Sequence, residues 1–193
     1  MFKTLRKYII FNILYDKGIS KENLGVYDSA LNFFYSALSL NPNSIKTYKA
    51  IARVCRQRKE YLNGIDFLNK ASFRFPDNAE LYALKGALYA EIKDYGSALK
   101  EYNSALKLNS SCPELYIERA QIKYLKGDIK GADEDYAASA GLRPDSDVYA
   151  KRAFCLLEQK KFNLAALNYK KALELNPSCL SFKFMLEELN TAV

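Results

Sequence analysis

Histidine is missing from all 193 residues, and so is tryptophan. The first absence removes the commonest general base near neutral pH and the commonest metal ligand. Glycine occurs only eight times and forms no glycine-rich phosphate loop. The four cysteines, Cys55, Cys112, Cys155 and Cys179, are scattered and make no C-x-x-C pair that would hold zinc or cycle a disulfide. Read as free thiols in helix packing, they fit a reducing compartment, so a cytoplasmic location is expected. The apolar stretch near the start, YIIFNILY at 8–15, follows basic residues as a signal peptide would. It is only eight residues long, contains Asn12, lacks an A-x-A-like site after it, and is far too short to span a bilayer. An amphipathic terminal helix with Phe2, Leu5, Ile9 and Ile13 on one side is the preferred reading. With no nucleophile–histidine pair available, no enzyme activity, cofactor or metal is expected.

Apolar residues make up 49% of the chain, which argues against disorder. The net charge is +7, which permits partners of acidic character. The dominant feature is a recurring phrase: YDSALNFFYSALSLNP, YLNGIDFLNKASFRFPD, YGSALKEYNSALKLNSS, IKGADEDYAASAGLRPD and FNLAALNYKKALELNPS. Pro42, Pro76, Ser110, Pro144 and Pro177 follow one another at 34, 34, 34 and 33 residues. Such a period implies stacked helical hairpins. Within each period apolar residues recur at helical spacing, as in Tyr48, Ile51, Ala52 and Cys55, then Gly64, Leu68 and Ala71. Ala52, Gly86, Ala120 and Ala153 form one column of small residues, and Gly64, Ala98, Ala132 and Ala165 another. Small side chains let two helices approach closely, so these columns mark contact seams.

These columns resemble the tetratricopeptide repeat (TPR), outlined W-x₂-L-G-x₂-Y…A-x₃-F…P. Tyr48, Tyr82, Tyr116 and Tyr149 stand in the tryptophan column. Ala30 and Phe34, Ala98 and Tyr102, Ala132 and Tyr136, and Ala165 and Tyr169 meet the A-x₃-F step. The resemblance covers about residues 25 to 179. It implies an all-α, right-handed superhelical solenoid of antiparallel helix hairpins. The expected organisation is a single array: a degenerate unit over 1–44, repeats over 45–78, 79–112, 113–145 and 146–179, and a capping helix over 180–193.

Three departures stand out. Lys85, Arg119 and Arg152 occupy the leucine column, where their stems are expected to pack while the charged heads reach water. The acidic run Asp133-Glu134-Asp135 reads as a solvated helix face rather than a metal site, because consecutive helical residues diverge. In the first unit, either the repeat register holds and Gly18 fills the glycine column, or Asp16-Lys17-Gly18 ends a helix and Ser20 caps a second that runs to about Leu40. The second reading is preferred, since an array needs an atypical end.

In the family, a stripe on the first helix of each hairpin lines the concave groove. Here it reads Lys46, Lys49, Arg53 and Arg56 in the second unit, and Ala83 and Ala87 over an alanine floor in the third. Ile117, Gln121 and Tyr124 follow in the fourth, then Phe154 and Leu157 in the fifth. Four like charges at spacings of 3, 4 and 3 repel one another, and folding does not require them. They are read as a patch for a carboxylate-rich segment, against the bland reading of a solvated face. The second unit carries eight basic residues and three acidic ones. The apolar stripe is a channel for a partner segment, or a contact between hairpins, or the bed of the chain's own last helix. The carboxylate clamp by which some members grip chaperone tails is absent, because Leu84, Glu114 and Glu118 fall at its positions.

The expected function is therefore a non-catalytic interaction scaffold or adaptor that binds a protein or peptide with an acidic segment. A nucleic-acid-binding helical repeat is the rival, disfavoured because Glu80, Glu114 and Asp147 open the later stripes and would repel phosphate. A self-assembling subunit is the third reading.

Overall fold

A computed structural model describes residues 2–191. Residue 1, and residues 192 and 193 at the end of the expected capping helix, lie outside the described residues. The described chain folds into α-helices alone: α1 (Phe2–Asn23), α2 (Tyr27–Leu40), α3 (Ile45–Gln57), α4 (Tyr61–Arg74), α5 (Ala79–Glu91), α6 (Tyr95–Leu108), α7 (Pro113–Leu125), α8 (Ile129–Leu142), α9 (Ser146–Glu158), α10 (Phe162–Leu175) and α11 (Leu180–Thr191). No strand occurs among the described residues.

Two local devices set these boundaries. Ser44, Asn78, Asp128 and Asp145 accept backbone N–H groups at the starts of α3, α5, α8 and α9. Each cap satisfies a donor that has no partner within its helix. At the turn inside each hairpin one residue takes positive φ: Gly25, Lys59, Lys93, Gly127 and Lys160. The following N–H then reaches back five residues, as Glu60 to the Cys55 carbonyl at 2.8 Å and Asp128 to that of Lys123 at 2.9 Å. This is the Schellman closure, and it needs a left-handed residue that glycine supplies without a steric penalty.

The chain divides into two compact units, residues 1–97 and 98–193. In the first, α1 and α2 pair around Phe34, which is fully buried. Gly18 lies directly beneath its ring, and a Cβ there would come within 2.6 Å of Phe34 Cδ1. The helix therefore runs straight through Asp16-Lys17-Gly18, and the repeat register holds, contrary to the preferred sequence reading. Gly18 is small for the sake of the seam, while the helix stop is Gly25 at φ 71°. Ala30, Leu31, Phe34, Ala50, Ile51, Val54 and Cys55 continue the core into α3. Next, Tyr48, Ala52, Ile65, Leu68, Leu81 and Leu88 join α3, α4 and α5.

In the second unit, Ala120, Ala132, Tyr136, Ala140, Val148 and Cys155 bind α7, α8 and α9 together. Ala153, Leu156, Ala165, Tyr169 and Leu189 bind α9, α10 and α11, with the Phe182 ring 6.4 Å from that of Tyr169. Two charge expectations are overturned here. Asp133 and Asp135 are 8% and 4% exposed, not solvated, and only Glu134 faces water. The cause is the leucine column itself. Arg119 donates Nε and Nη2 to Asp135 at 2.8 and 2.6 Å, and Lys123 reaches the same carboxylate at 2.9 Å. Arg152 donates Nε to Asp133 at 2.9 Å. These heads end on carboxylates of α8 rather than in water. Lys85 of the first unit is likewise buried, its ammonium 5.0 Å from the Tyr82 ring centre and 3.4 Å from Asn69 Oδ1.

Candidate functional site

The basic stripe lies along the exposed side of α3, whose other side carries the buried Ala50, Ile51, Val54 and Cys55. Thr47 and Tyr48 are buried too, so the helix has little choice of orientation. Lys49, Arg53 and Arg56 line one cavity of about 170 Å³ together with Ala52 of α3 and with Glu80, Leu84, Ala87 and Leu88 of α5. Its floor is apolar and its rim is charged. Ala83 is half-buried on α5 and does not line it.

Every cation of the stripe has a partner within the chain. Lys49 meets Glu80 at 2.6 Å. Arg56 donates Nε and Nη2 to one oxygen of Glu91, at 2.9 and 2.6 Å. Arg53 forks onto Glu22 of α1 through Nε and Nη2, the latter at 2.6 Å. That hydrogen-bonded carboxylate raises the Arg53 pKa and keeps the guanidinium charged. Lys46 points at α1, its ammonium 4.2 Å from the Tyr15 ring centre, 5.0 Å from that of Phe11 and 3.4 Å from Asn12 Oδ1. The sequence reading placed Glu80 at the head of the next stripe but missed its pairing with Lys49, and it missed Glu22 and Glu91 altogether. The two carboxylates of α5 were legible in principle, because Glu80, Leu84, Ala87 and Glu91 follow helical spacing along α5. Glu22 was hidden by the wrong helix boundary in the first unit.

In the second unit, Tyr124 and Phe154 come together, with ring centres 5.8 Å apart and planes tilted by 53°. Phe154 remains exposed. Ile117 and Tyr124 are half-buried against the α7–α9 core, and Gln121 is half-buried beside them on α7. Leu157 instead joins the cluster that includes Leu189, Met185 and Leu186 of α11. The stripe is thus partly contact between hairpins, through Phe154 on Tyr124, and partly bed for the last helix.

The Cys55 and Cys155 thiols are buried and pushed up to about 11, so they stay protonated near neutral pH. Among the described residues no group of three His, Cys, Asp or Glu side chains is placed to hold a metal ion.

Helix pairs closed by a left-handed residue, seamed by alanine and glycine, and offering side chains on their first helices define a helical-hairpin repeat protein. The repeat is the tetratricopeptide repeat, whose family model matches residues 79–112 and 146–179. Those matches cover two of its hairpins, and the chain as a whole has the all-α fold of antiparallel helix hairpins seen in solved tetratricopeptide-repeat structures. It is similar to the crystal structure of MamA protein, with TM-score 0.76 and 22% identity over 86% of this chain and 91% of that one. It is also similar to YrrB, described as a TPR protein with an unusual peptide-binding site, with TM-score 0.71 and 18% identity over 91% and 90%. Among curated proteins it is 23% identical over 152 residues to a BBSome complex member BBS4 homolog of Drosophila melanogaster. That match takes in 78% of this chain but spans only 31% of the relative. At such identities the likeness is one of fold.

Proposed function

We propose that this protein is a non-catalytic adaptor that holds a segment of a partner protein against α3 and α5, with carboxylates of that segment on Lys49, Arg53 and Arg56. The tetratricopeptide fold supports a protein–protein interaction scaffold. The observation that carries the finer reading is the cavity, where three cations rim an apolar floor of Ala52, Leu84, Ala87 and Leu88. That lining suits a ligand with spaced carboxylates and aliphatic side chains between them. YrrB, a protein of the same fold, is described by a peptide-binding site.

The internal pairs do not close the site. Lys49–Glu80 and Arg56–Glu91 are partly exposed, and such pairs contribute about 0–1 kcal/mol each. A ligand carboxylate exchanges for Glu80 or Glu91 at little net cost, and its apolar neighbours supply the surplus. A nucleic-acid backbone fits less well, because a charge at every step meets Glu22, Glu80 and Glu91.

The test is a nuclear magnetic resonance titration of ¹⁵N-labelled protein with a short peptide of alternating glutamate and leucine. Shifts centred on Lys49, Arg53, Arg56, Ala87 and Leu88 support the reading. A titration that leaves those amides unmoved, or moves them equally with a lysine–leucine peptide, refutes it.

A second reading has its own observation. Since each cation already has a partner, the stripe serves as a fastener between α1, α3 and α5. In that case charge removal lowers stability and leaves ligand binding unchanged.

A further inference from the structure

α1 is the longest helix, 22 residues against 14 for its partner α2. At 1.5 Å per residue that surplus is roughly 12 Å of helix. Its inner side is committed: Phe11 is buried, Gly18 lies under Phe34, and the Tyr15 ring centre is 5.7 Å from that of Phe34. Its outer side carries Phe2, Leu5, Ile9 and Ile13 at spacings of 3, 4 and 4, which places them one above another. They are 90%, 54%, 48% and 49% exposed, and Tyr8 and Ile10 beside them are exposed too. The fold therefore leaves unburied the very stripe that makes this helix amphipathic. Lys3, Arg6 and Lys7 accompany it, and no acidic residue precedes Asp16.

We propose that the outer face of α1 is a docking surface for the anionic face of a lipid bilayer. An apolar stripe flanked by lysine and arginine is what an interfacial helix requires, with the apolar side chains entering the acyl boundary and the cations meeting headgroup phosphates and carboxylates. The segment lies on the bilayer and does not cross it, since no described helix is long and apolar enough to span. Charge selects this occupant over a second copy of the chain. Two such segments would bring three cations against three, with no carboxylate before residue 16 to offset them. The inner side of α1 stays fastened to α2 while the outer side docks, so docking requires no unfolding.

Sedimentation of the full chain with lipid vesicles tests this. One set is phosphatidylcholine alone; the other contains phosphatidylserine as well. Binding should favour the anionic set, by on the order of fivefold per participating cation, and fall with added salt. Leu5→Glu with Ile9→Glu should abolish it, with helicity by circular dichroism unchanged because both positions are exposed. Lys3→Gln, Arg6→Gln and Lys7→Gln together should remove the preference for anionic lipid and leave the stripe intact. No sedimentation with either set overturns the proposal, as does equal binding by the Leu5→Glu, Ile9→Glu protein. Light scattering that shows a dimer dispersed by those two substitutions, without vesicle binding, assigns the face to a second copy and also overturns it.

Discussion

Arg53 and Glu22 form a two-pronged ion pair between α3 and the end of α1, with Arg53 Nη2 2.6 Å from Glu22 Oε2. Through it the atypical first unit reaches the most basic repeat and supplies a carboxylate to one of its cations. Glu80 and Glu91 do the same from α5. The stripe that looks like unopposed positive charge in the sequence is, in the fold, a row in which Lys49, Arg53 and Arg56 each meet a carboxylate and Lys46 meets two aromatic rings. On the proposed function, binding then depends on the ligand's carboxylates being better placed than the protein's own.

The left-handed column offers a test of the hairpin turns. Lys59, Lys93 and Lys160 adopt φ of 61°, 61° and 58°, where Gly25 and Gly127 are relaxed. Lys59→Gly, Lys93→Gly and Lys160→Gly should each stabilise by about 0.5–1 kcal/mol, after the extra chain entropy of glycine is subtracted. Thermal melts should rise by roughly 2–4 °C per kcal/mol. A fall in melting temperature at all three positions would contradict the assigned turns.

The carboxylates of α8 should prove structural. Asp135→Ala strands Arg119 and Lys123 around an empty site and should cost about 3 kcal/mol in urea unfolding. Glu134→Ala, next to it but facing water, should cost under about 0.5 kcal/mol. Equal effects would mean the acidic run is solvated after all.

Ser139 is fully buried and its hydroxyl has no hydrogen-bond partner among the described residues. It stands in the column that holds Ala71, Ala105 and Ala172 in the other repeats. Ser139→Ala should therefore be neutral or stabilise by up to about 1 kcal/mol, since a stranded buried hydroxyl carries a desolvation penalty. Clear destabilisation in urea unfolding would show that the hydroxyl is satisfied.

Alkaline pH should weaken the fold in a defined window. Burial pushes the Cys55 and Cys155 thiols from 9.0 to about 11. Between those values the unfolded chain has lost protons that the folded chain retains, so stability falls as pH rises. This contribution is fully present below about 9 and lost by about 11. Melting temperature should fall across that window, and Cys55→Ala with Cys155→Ala should flatten the fall. Tyr136 and Tyr169, whose hydroxyls burial also raises, leave a residual slope.

The helical hairpins were legible because packing in a repeat array is periodic. Alanine and glycine recur wherever two helices touch, and proline or a capping residue recurs where a helix must stop. What escaped was any feature set by one residue's particular neighbour. Gly18 and Gly25 look alike in sequence, yet one answers to the Phe34 ring and the other to a left-handed turn. Arg119 and Asp135 are 16 residues apart, and nothing in their spacing announces the pair that turns a polar-looking helix face into core. The basic stripe was visible on α3, but its counter-charges sit on α1 and α5, and only the folded chain brings them across.

The most direct test compares two sets of neutral substitutions in binding to the glutamate–leucine peptide. If the cations hold ligand carboxylates, Arg53→Gln and Arg56→Gln should weaken binding by about tenfold together, as loss of a charge-assisted hydrogen bond implies. Glu80→Gln and Glu91→Gln, which free Lys49 and Arg56, should tighten it. Binding unchanged by both sets, or weakened alike by both, would show that the stripe only fastens helices and would contradict the account.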